Sequence, residues 1–245
     1  MIQAYAKSDT GKVREQNQDS YFISEPLDEV QLFIIADGMG GYNGGEVASS
    51  LAVQSAKNYI ENNFAGADKD KESIIQLVGS ALEYANMVVY EKSKESDELS
   101  EMGTTMDICL IYNNKAYIGH VGDSRIYRIR KEFIRKLTQD HSYVQKLVKD
   151  GTITQEEAQH HPQKNMLMKA LGCNAFVEPD VMIKGFQKDD IILMTTDGLT
   201  NLVSKDHLFE TVKNENLEQV PKKLVEQAIN NGGYDNITVI VIKNI

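Results

Sequence analysis

Apolar positions follow two rhythms along this chain. From Glu46 to Ile60, the residues Ala48, Leu51, Ala52, Ser55, Ala56, Tyr59 and Ile60 recur at three- and four-residue intervals, which puts them on one face of a helix. Many are small, so this helix is expected to lie close against a sheet. Lys71 to Tyr90 repeats the pattern through Ile74, Leu77, Val78, Ala81, Leu82, Ala85 and Val88. A third helix is expected to begin near Pro221, a residue tolerated in a first turn. It buries Leu224, Val225 and Ala228 and stops at Asn231-Gly232. Five other stretches are short, β-branched and apolar: Gln31–Ala36, Thr105–Tyr112, Ala116–Val121, Ile191–Thr196 and Ile237–Ile242. Asn113-Asn114 suits a tight hairpin turn between two of them, and Gly122-Asp123 begins another turn, toward Arg125–Arg130. Connections this short force antiparallel pairing. Yet several of the strands are apolar on both faces, where an antiparallel sheet usually wets one. Two stacked sheets with helices over each outer face satisfy both facts. The expected fold is therefore α+β, a four-layer α-β-β-α sandwich of two mainly antiparallel sheets.

Composition narrows the setting. The chain has 245 residues, 41% of them hydrophobic and 25% charged, which is ordinary for a globular protein and ample for a core. Nothing reads as a linker, so a single domain over residues 1–245 is expected. The charged run Glu91 to Glu101 reads as a solvated helix end or loop. The net charge of −10 makes the surface a poor partner for nucleic acid. No apolar run approaches the roughly 20 residues that cross a bilayer, and the first residues lack a signal-peptide pattern. Two cysteines, Cys109 in a strand-like run and Cys173 in a loop, make no disulfide scaffold. A reducing cytoplasm is the expected compartment.

The candidate chemistry lies at strand ends. Apolar runs lead into Asp37 (IIADG), Asp123 (IGHVGDS) and Asp197 (LMTTDG), Asp235 sits just before ITVIVI, and Asp19 follows Arg14 in VREQNQDS. Taken singly, each is an ordinary turn residue. Taken together at the ends of core strands, they are expected to share a pocket. Two bare carboxylates about 4 Å apart repel by ~4 kcal/mol at an effective dielectric near 20, so such a pocket needs cations. The ligands on offer are hard oxygens, with no CxxC, HxxxH or HExxH, which favours magnesium or manganese over zinc. Calcium is disfavoured because no DxDxDG loop is present. The run DGMGGYNGGE from Asp37 to Glu46 also invites a nucleotide reading. But Asn43 stands where GxGxxG needs its third glycine, and GxxxxGK[ST] is absent. An aspartate at the loop mouth favours a metal, with the Gly38 carbonyl as a further ligand. Arg14 offers a bidentate fork to phosphate oxygens, its alternative being a carboxylate-pairing or surface arginine.

These residues resemble the protein phosphatase 2C family, the metal-dependent Ser/Thr protein phosphatases, in their compact bacterial form. The matching motifs run in family order and cover essentially the whole chain. They are Arg14 with NQDS at Asn17–Ser20, ADGMGG at Ala36–Gly41, MGTT at Met102–Thr105, VGDSR at Val121–Arg125, DHS at Asp140–Ser142, TDGL at Thr196–Leu199 and GGYDNITV at Gly232–Val239.

The resemblance implies the α-β-β-α sandwich, two Mn²⁺ or Mg²⁺ ions at one end of the sheets, and hydrolysis of phosphoserine and phosphothreonine by direct attack of a bridging, metal-activated water. It implies that Asp37 bridges the ions, that the Gly38 carbonyl binds one, that Asp197 and Asp235 complete the first site, and that Asp19 acts mainly through water. Asp123, with Asp197, would hold a third and weaker ion. Arg14 would grip the substrate phosphate and Asn236 would support the site from behind. Met39 stands where many eukaryotic members carry a general-acid histidine, so the leaving oxygen must take its proton elsewhere. Gln18 stands where some members have an acidic ligand, which leaves the second ion more dependent on water. A flap over about residues 140–172 is implied, with a short helix at Tyr143–Lys149 and with His141, His160 and His161 in or beside it. Implied partners are Ser/Thr-phosphorylated proteins, among them a cognate Ser/Thr kinase and its targets. Two alternatives remain from the sequence: an inactive phosphoprotein-binding sensor on the same scaffold, and a magnesium–nucleotide enzyme.

Overall fold

A computed structural model describes residues 1–25 and 30–245, without the side chains of 41–43. In chain order the elements are β1 (Ile2–Asp9), β2 (Asp19–Ile23), β3 (Gln31–Met39), α1 (Gly41–Phe64), α2 (Lys71–Ser93), β4 (Gly103–Thr104), β5 (Met106–Tyr112), β6 (Lys115–Val121), β7 (Arg125–Arg130) and β8 (Phe133–Lys136). There follow α3 (Tyr143–Lys149), α4 (Gln155–His160), β9 (Asp180–Gly185), β10 (Ile191–Thr195), α5 (Asp197–Thr200), α6 (Lys205–Asn214), α7 (Val220–Asn230) and β11 (Ile237–Asn244). One sheet has the order β1-β11-β10-β7-β8, and the other β2-β3-β5-β6-β9 with β4 appended to β3. The strand pairs are antiparallel throughout.

The period-2 alternation of each strand builds three apolar layers. Phe33 and Ile35 of β3, Cys109 and Ile111 of β5, Ile192 and Met194 of β10, and Ile240 and Ile242 of β11 fill the space between the sheets. Their neighbours Leu32, Ile34, Ile108 and Leu110 face outward onto α1 and α2. On the other sheet Ile191, Leu193, Val239 and Val241 face α5, α6 and α7. Strands sandwiched in this way are apolar on both faces, which is the pattern read from the sequence. Asn113 and Asn114 both adopt positive φ, 47° and 56°, as a two-residue hairpin turn between β5 and β6 requires.

Helix α1 starts at Gly41 rather than Glu46, so the glycine-rich run is mostly helix and not loop. The glycines serve close packing: a Cβ on Gly44 would lie 3.0 Å from the Met102 side chain. Helices α3 and α4 leave the sheets as an excursion tied at its root. Tyr143 N–H donates to Met166 O at 2.8 Å and Met168 N–H to His141 O at 2.7 Å. Ser142 caps α3, and Thr154 with Glu157 forms a capping box on α4.

Candidate active site

The apolar layer between the sheets turns polar at one end, and strand parity decides which side chains enter it. Asp37 follows Phe33 and Ile35 on the inward face of β3, and the register pairs it with Asp19 of β2. Thr105 precedes Cys109 on the same face of its chain segment. Across the gap, Thr196 continues Met194, and Thr238 leads into Ile240. Both hydroxyls donate to Asp19 Oδ2, at 3.0 Å from Thr196 and 2.6 Å from Thr238. Asp19 thus stitches one sheet to the other. Its second oxygen, Oδ1, is buried and has no hydrogen-bond partner.

Asp197 opens α5 directly after β10, with Asn201 Nδ2 donating to its Oδ2 at 3.0 Å. Asp235 lies two residues before β11. Asp123 sits in the turn between β6 and β7. The Asp-Gly pairs are packing requirements. A Cβ on Gly38 would lie 2.1 Å from Gly45 O and 2.6 Å from Gln18 O. A Cβ on Gly198 would lie 2.0 Å from Asn236 O. Only glycine lets β3 meet Gly45 near the start of α1, and α5 meet Asn236 just before β11, at these distances.

Asn236 anchors the segment that carries Arg14 and Asp19. Its Oδ1 accepts from Gln18 N–H at 2.8 Å, and its Nδ2 donates to Thr10 O at 3.0 Å and Gln16 O at 2.9 Å. Asn236→Ala removes all three bonds and is expected to lower stability by about 2–3 kcal/mol, read from denaturant unfolding. Unchanged stability would show that the anchor carries no weight.

The carboxylates feel one another. Burial and the charges of Asp19, Asp197, Asp123 and Asp235 hold the Asp37 carboxyl well above the usual range. Burial raises Asp19 to about 7 against the two threonine hydroxyls, and raises Asp123 to about 8 with help from Asp197 and Asp140. Asp197 is raised by burial and by Asp235, and lies within hydrogen-bonding reach of Asp37. Cations near the site are mostly committed. Arg14 closes a bidentate pair on Asp235, Nε to Oδ1 and Nη2 to Oδ2, each 2.9 Å. Arg125 turns to Asp140, at 3.0 Å and 2.8 Å, and Lys136 joins it at 2.9 Å. Among the described residues no three His, Cys, Asp or Glu side chains close into a ready ligand cage. The partnerless Asp19 oxygen, the raised carboxyls and an all-oxygen donor set fit a hard divalent cation such as Mg²⁺ or Mn²⁺.

Of the residues singled out from sequence, the fold brings Asp19, Asp37, Asp123, Asp197 and Asp235 into one electrostatic neighbourhood, with Arg14 at its edge. Gly38 pairs with Thr104 through the β3–β4 ladder, and Met39 ends β3 opposite Gly103. Arg14 takes the carboxylate-pairing role, with Asp235 as its partner. The excursion histidines do not converge: His160 is exposed, while His141 Nδ1 accepts from Gly122 N–H at 3.2 Å.

Several supporting contacts were not legible in advance, although Thr104, Thr105 and Ser124 lie within the motifs MGTT and VGDSR. Thr105 Oγ1 accepts from Asp37 N–H at 3.0 Å and meets Ser124 Oγ at 2.8 Å, while Thr104 Oγ1 donates to Asp37 O at 2.9 Å. His120, buried between the sheets, faces two acceptors, Asp107 Oδ1 at 2.5 Å and Gln139 O at 2.9 Å. The ring ties the Gln139–His141 stretch to the sheet. The available signal was a polar residue recurring at strand ends in otherwise apolar runs.

Comparison with known proteins points the same way. Residues 11–228 match the family model described as Protein phosphatase 2C. The serine/threonine phosphatase stp of Listeria monocytogenes serotype 4b (strain F2365) is 34% identical over 243 residues, covering 99% of this chain and 96% of that protein. A serine/threonine phosphatase structure from S. agalactiae superposes with a TM-score of 0.92 at 33% identity, covering 100% of both chains. The catalytic domain of the phosphatase PstP, solved in complex with two manganese ions, gives a TM-score of 0.86 at 31% identity over 99% of this chain and 97% of that one. Motif order, sandwich and carboxylate pocket agree with this similarity along nearly the full length, and the chain belongs to the protein phosphatase 2C family.

Proposed function

We propose that this protein is a metal-dependent phosphatase that hydrolyses phosphoserine and phosphothreonine in proteins, using two Mn²⁺ or Mg²⁺ ions. The observation that carries the reading is a pocket of mutually repelling carboxylates, floored by a partnerless Asp19 oxygen and edged by one bidentate arginine. Asp37, the Gly38 carbonyl, Asp197 and Asp235 would hold the ions, Asp19 would contribute through water, and Asp123 with Asp197 would hold a third, weaker one. When bound, the ions supply Lewis acidity, which lowers the pKa of water and draws charge from phosphoryl oxygens.

The chain's own groups do the rest. Arg14 is half-exposed at the rim, and its fork matches two phosphoryl oxygens once Asp235 is otherwise engaged. Met39 transfers no proton. Cys109 is buried between the sheets with its thiol pushed up by burial, so it is no nucleophile. The pocket retains Asp19, Asp37, Asp123, Asp197 and Asp235, with Gln18 in place of the acidic ligand some members carry, which supports an active enzyme over an inactive sensor. The same reading takes residues 1–245 as one catalytic domain with a flap at about 140–172. It takes phosphorylated proteins, including a cognate Ser/Thr kinase, as partners and the bacterial cytoplasm as the place of signalling. Among the described residues no helix is long and apolar enough to cross a membrane.

The test is turnover of a phosphothreonine peptide with Mn²⁺. Chelator is expected to abolish it, and Asp197→Ala to remain folded with little activity. Wild-type turnover in either case would end the proposal. Arg14→Ala is expected to lower kcat/KM by about 10- to 100-fold, the weight of a charge-assisted bidentate contact, and Arg14→Lys to recover part of it. Full recovery of wild-type kcat/KM by Arg14→Lys would show that the fork geometry is not used.

A further inference from the structure

A cleft of about 780 Å³ opens beside Asp123 and Asp197, between the α3–α4 excursion and the start of α6. Its volume is in the range that holds a drug-sized ligand. Its charge runs against the rest of the molecule. Apart from Asp123 and Asp197, the only carboxylate lining it among the described residues is Asp140, and that one is shared by Arg125 and Lys136. The triad is left with one excess positive charge. Farther out, Lys164 on the excursion side and Lys205 at the first turn of α6 line the cleft, with His160 close by in sequence. Both lysines are exposed, and neither pairs with a carboxylate among the described residues. The outer wall is otherwise glutamine, asparagine, serine and threonine in its polar positions. A protein with a net charge of −10 thus places four cations, Arg125, Lys136, Lys164 and Lys205, against three carboxylates in this cleft, and two of the three, Asp123 and Asp197, belong to the pocket proposed to hold the metal ions.

We propose that this cleft receives the stretch of substrate polypeptide flanking the phosphorylated residue and favours acidic side chains there. The inference rests on the phosphatase reading and deepens it by naming a substrate class. The molecule's mean charge predicts the opposite preference, since a net anion repels an acidic peptide and attracts a basic one. Local charge decides because an ion pair at contact outweighs a field screened over a Debye length of about 8–10 Å. Each partly solvated pair is worth up to about a fivefold change in binding. Two lysines together are expected to yield about a tenfold preference.

The experiment compares kcat/KM for three phosphothreonine peptides whose flanking residues are Glu, Gln or Lys, with para-nitrophenyl phosphate as a flank-free substrate, all with Mn²⁺. The wild type is expected to prefer the Glu over the Lys peptide by about tenfold at low salt, and by much less at about 0.5 M salt. In the K164E/K205E variant that ratio is expected to fall below one, and in K164Q/K205Q to lie between. Each protein's own Glu-to-Lys ratio is the readout, so a change in overall rate does not enter. A wild-type ratio near one, or a tenfold ratio surviving in K164E/K205E, would overturn the proposal while turnover of para-nitrophenyl phosphate leaves the phosphatase reading standing. Failure of wild type on every substrate would remove that reading and this inference with it.

Discussion

Replacing Asp37 by asparagine is expected to cut turnover of a phosphothreonine peptide about 10³-fold or more and, in the metal-free protein, to raise the melting temperature. The two effects share one cause. Asp37 is held well above the ordinary carboxylate range by burial and by four neighbouring carboxylates. At neutral pH the unfolded chain ionises this carboxyl freely while the folded chain resists its ionisation, so the group lowers stability unless cations offset it. Asparagine is nearly isosteric and keeps the backbone bonds to Thr104 and Thr105, which involve Asp37 N–H and O only. What it removes is the ionisable group. Metal ions stabilise phosphoryl-transfer transition states by several kcal/mol, and 4 kcal/mol corresponds to about 10³ in rate. Relief of repulsion should show as a melting point higher by about 2–4 °C per kcal/mol recovered. Thermal melts with chelator and with Mn²⁺, run beside kinetics, check both halves. The wild type should gain stability from Mn²⁺ and the variant little. An Asp37→Asn protein with wild-type turnover would move the reaction centre elsewhere. One that melts lower than the wild type in chelator would show that the carboxylate is stabilised rather than strained.

The same carboxylates show what a sequence displays and what it conceals. Helices α1, α2 and α7 and strands β3, β5, β6, β10 and β11 were legible because burial imposes a period on them, 3.6 in the helices and a continuous apolar run in the doubly covered strands. Strands β1 and β9 were missed because they are sheet edges. Tyr5 packs outward on the helices while Ala4 and Ala6 face inward, and water takes the rest, so no run forms. Helix α6 buries little beyond Leu208, Thr211 and Val212. The start of α1 was misplaced because Gly44 and Gly45 read as loop residues, whereas close approach to Met102 and Gly38 is what selects them. Within the site, aspartates announced themselves at the ends of apolar runs. Their supports did not. Thr196 and Thr238 reach Asp19 across 177 and 219 positions of sequence. Arg14 meets Asp235 across 221. Such contacts follow from strand parity and sheet stacking together, and neither is visible in one local stretch.

Between about pH 4 and about pH 8 the metal-stripped protein is expected to lose stability as pH rises, and saturating Mg²⁺ or Mn²⁺ to reverse the trend. Asp19 is raised from 3.8 to about 7 and Asp123 to about 8, with Asp37 and Asp197 raised alongside. Below 3.8 folded and unfolded chains are both protonated at these groups and the folded state keeps the whole contribution. Above it the unfolded chain has released protons that the folded chain still binds, so stability falls with pH until the folded carboxyls ionise. A single carboxyl displaced as far as Asp19 is worth on the order of 4 kcal/mol over that interval. His120, raised by Asp107 and Gln139 against its burial, acts in the same direction. Asp140, lowered by Arg125 and Lys136 against its burial, acts oppositely, but its contribution is lost only as pH falls below the ordinary carboxylate range. Cations bind the ionised carboxylates, so their stabilisation grows as protons leave. Urea unfolding at about pH 5 and about pH 8, with chelator or with Mg²⁺, should give midpoints that cross: higher at the lower pH in chelator, higher at the upper pH with the ion. A stripped protein that grows more stable toward pH 8 would mean that the pocket already contains its own counter-charge and has no need of a metal.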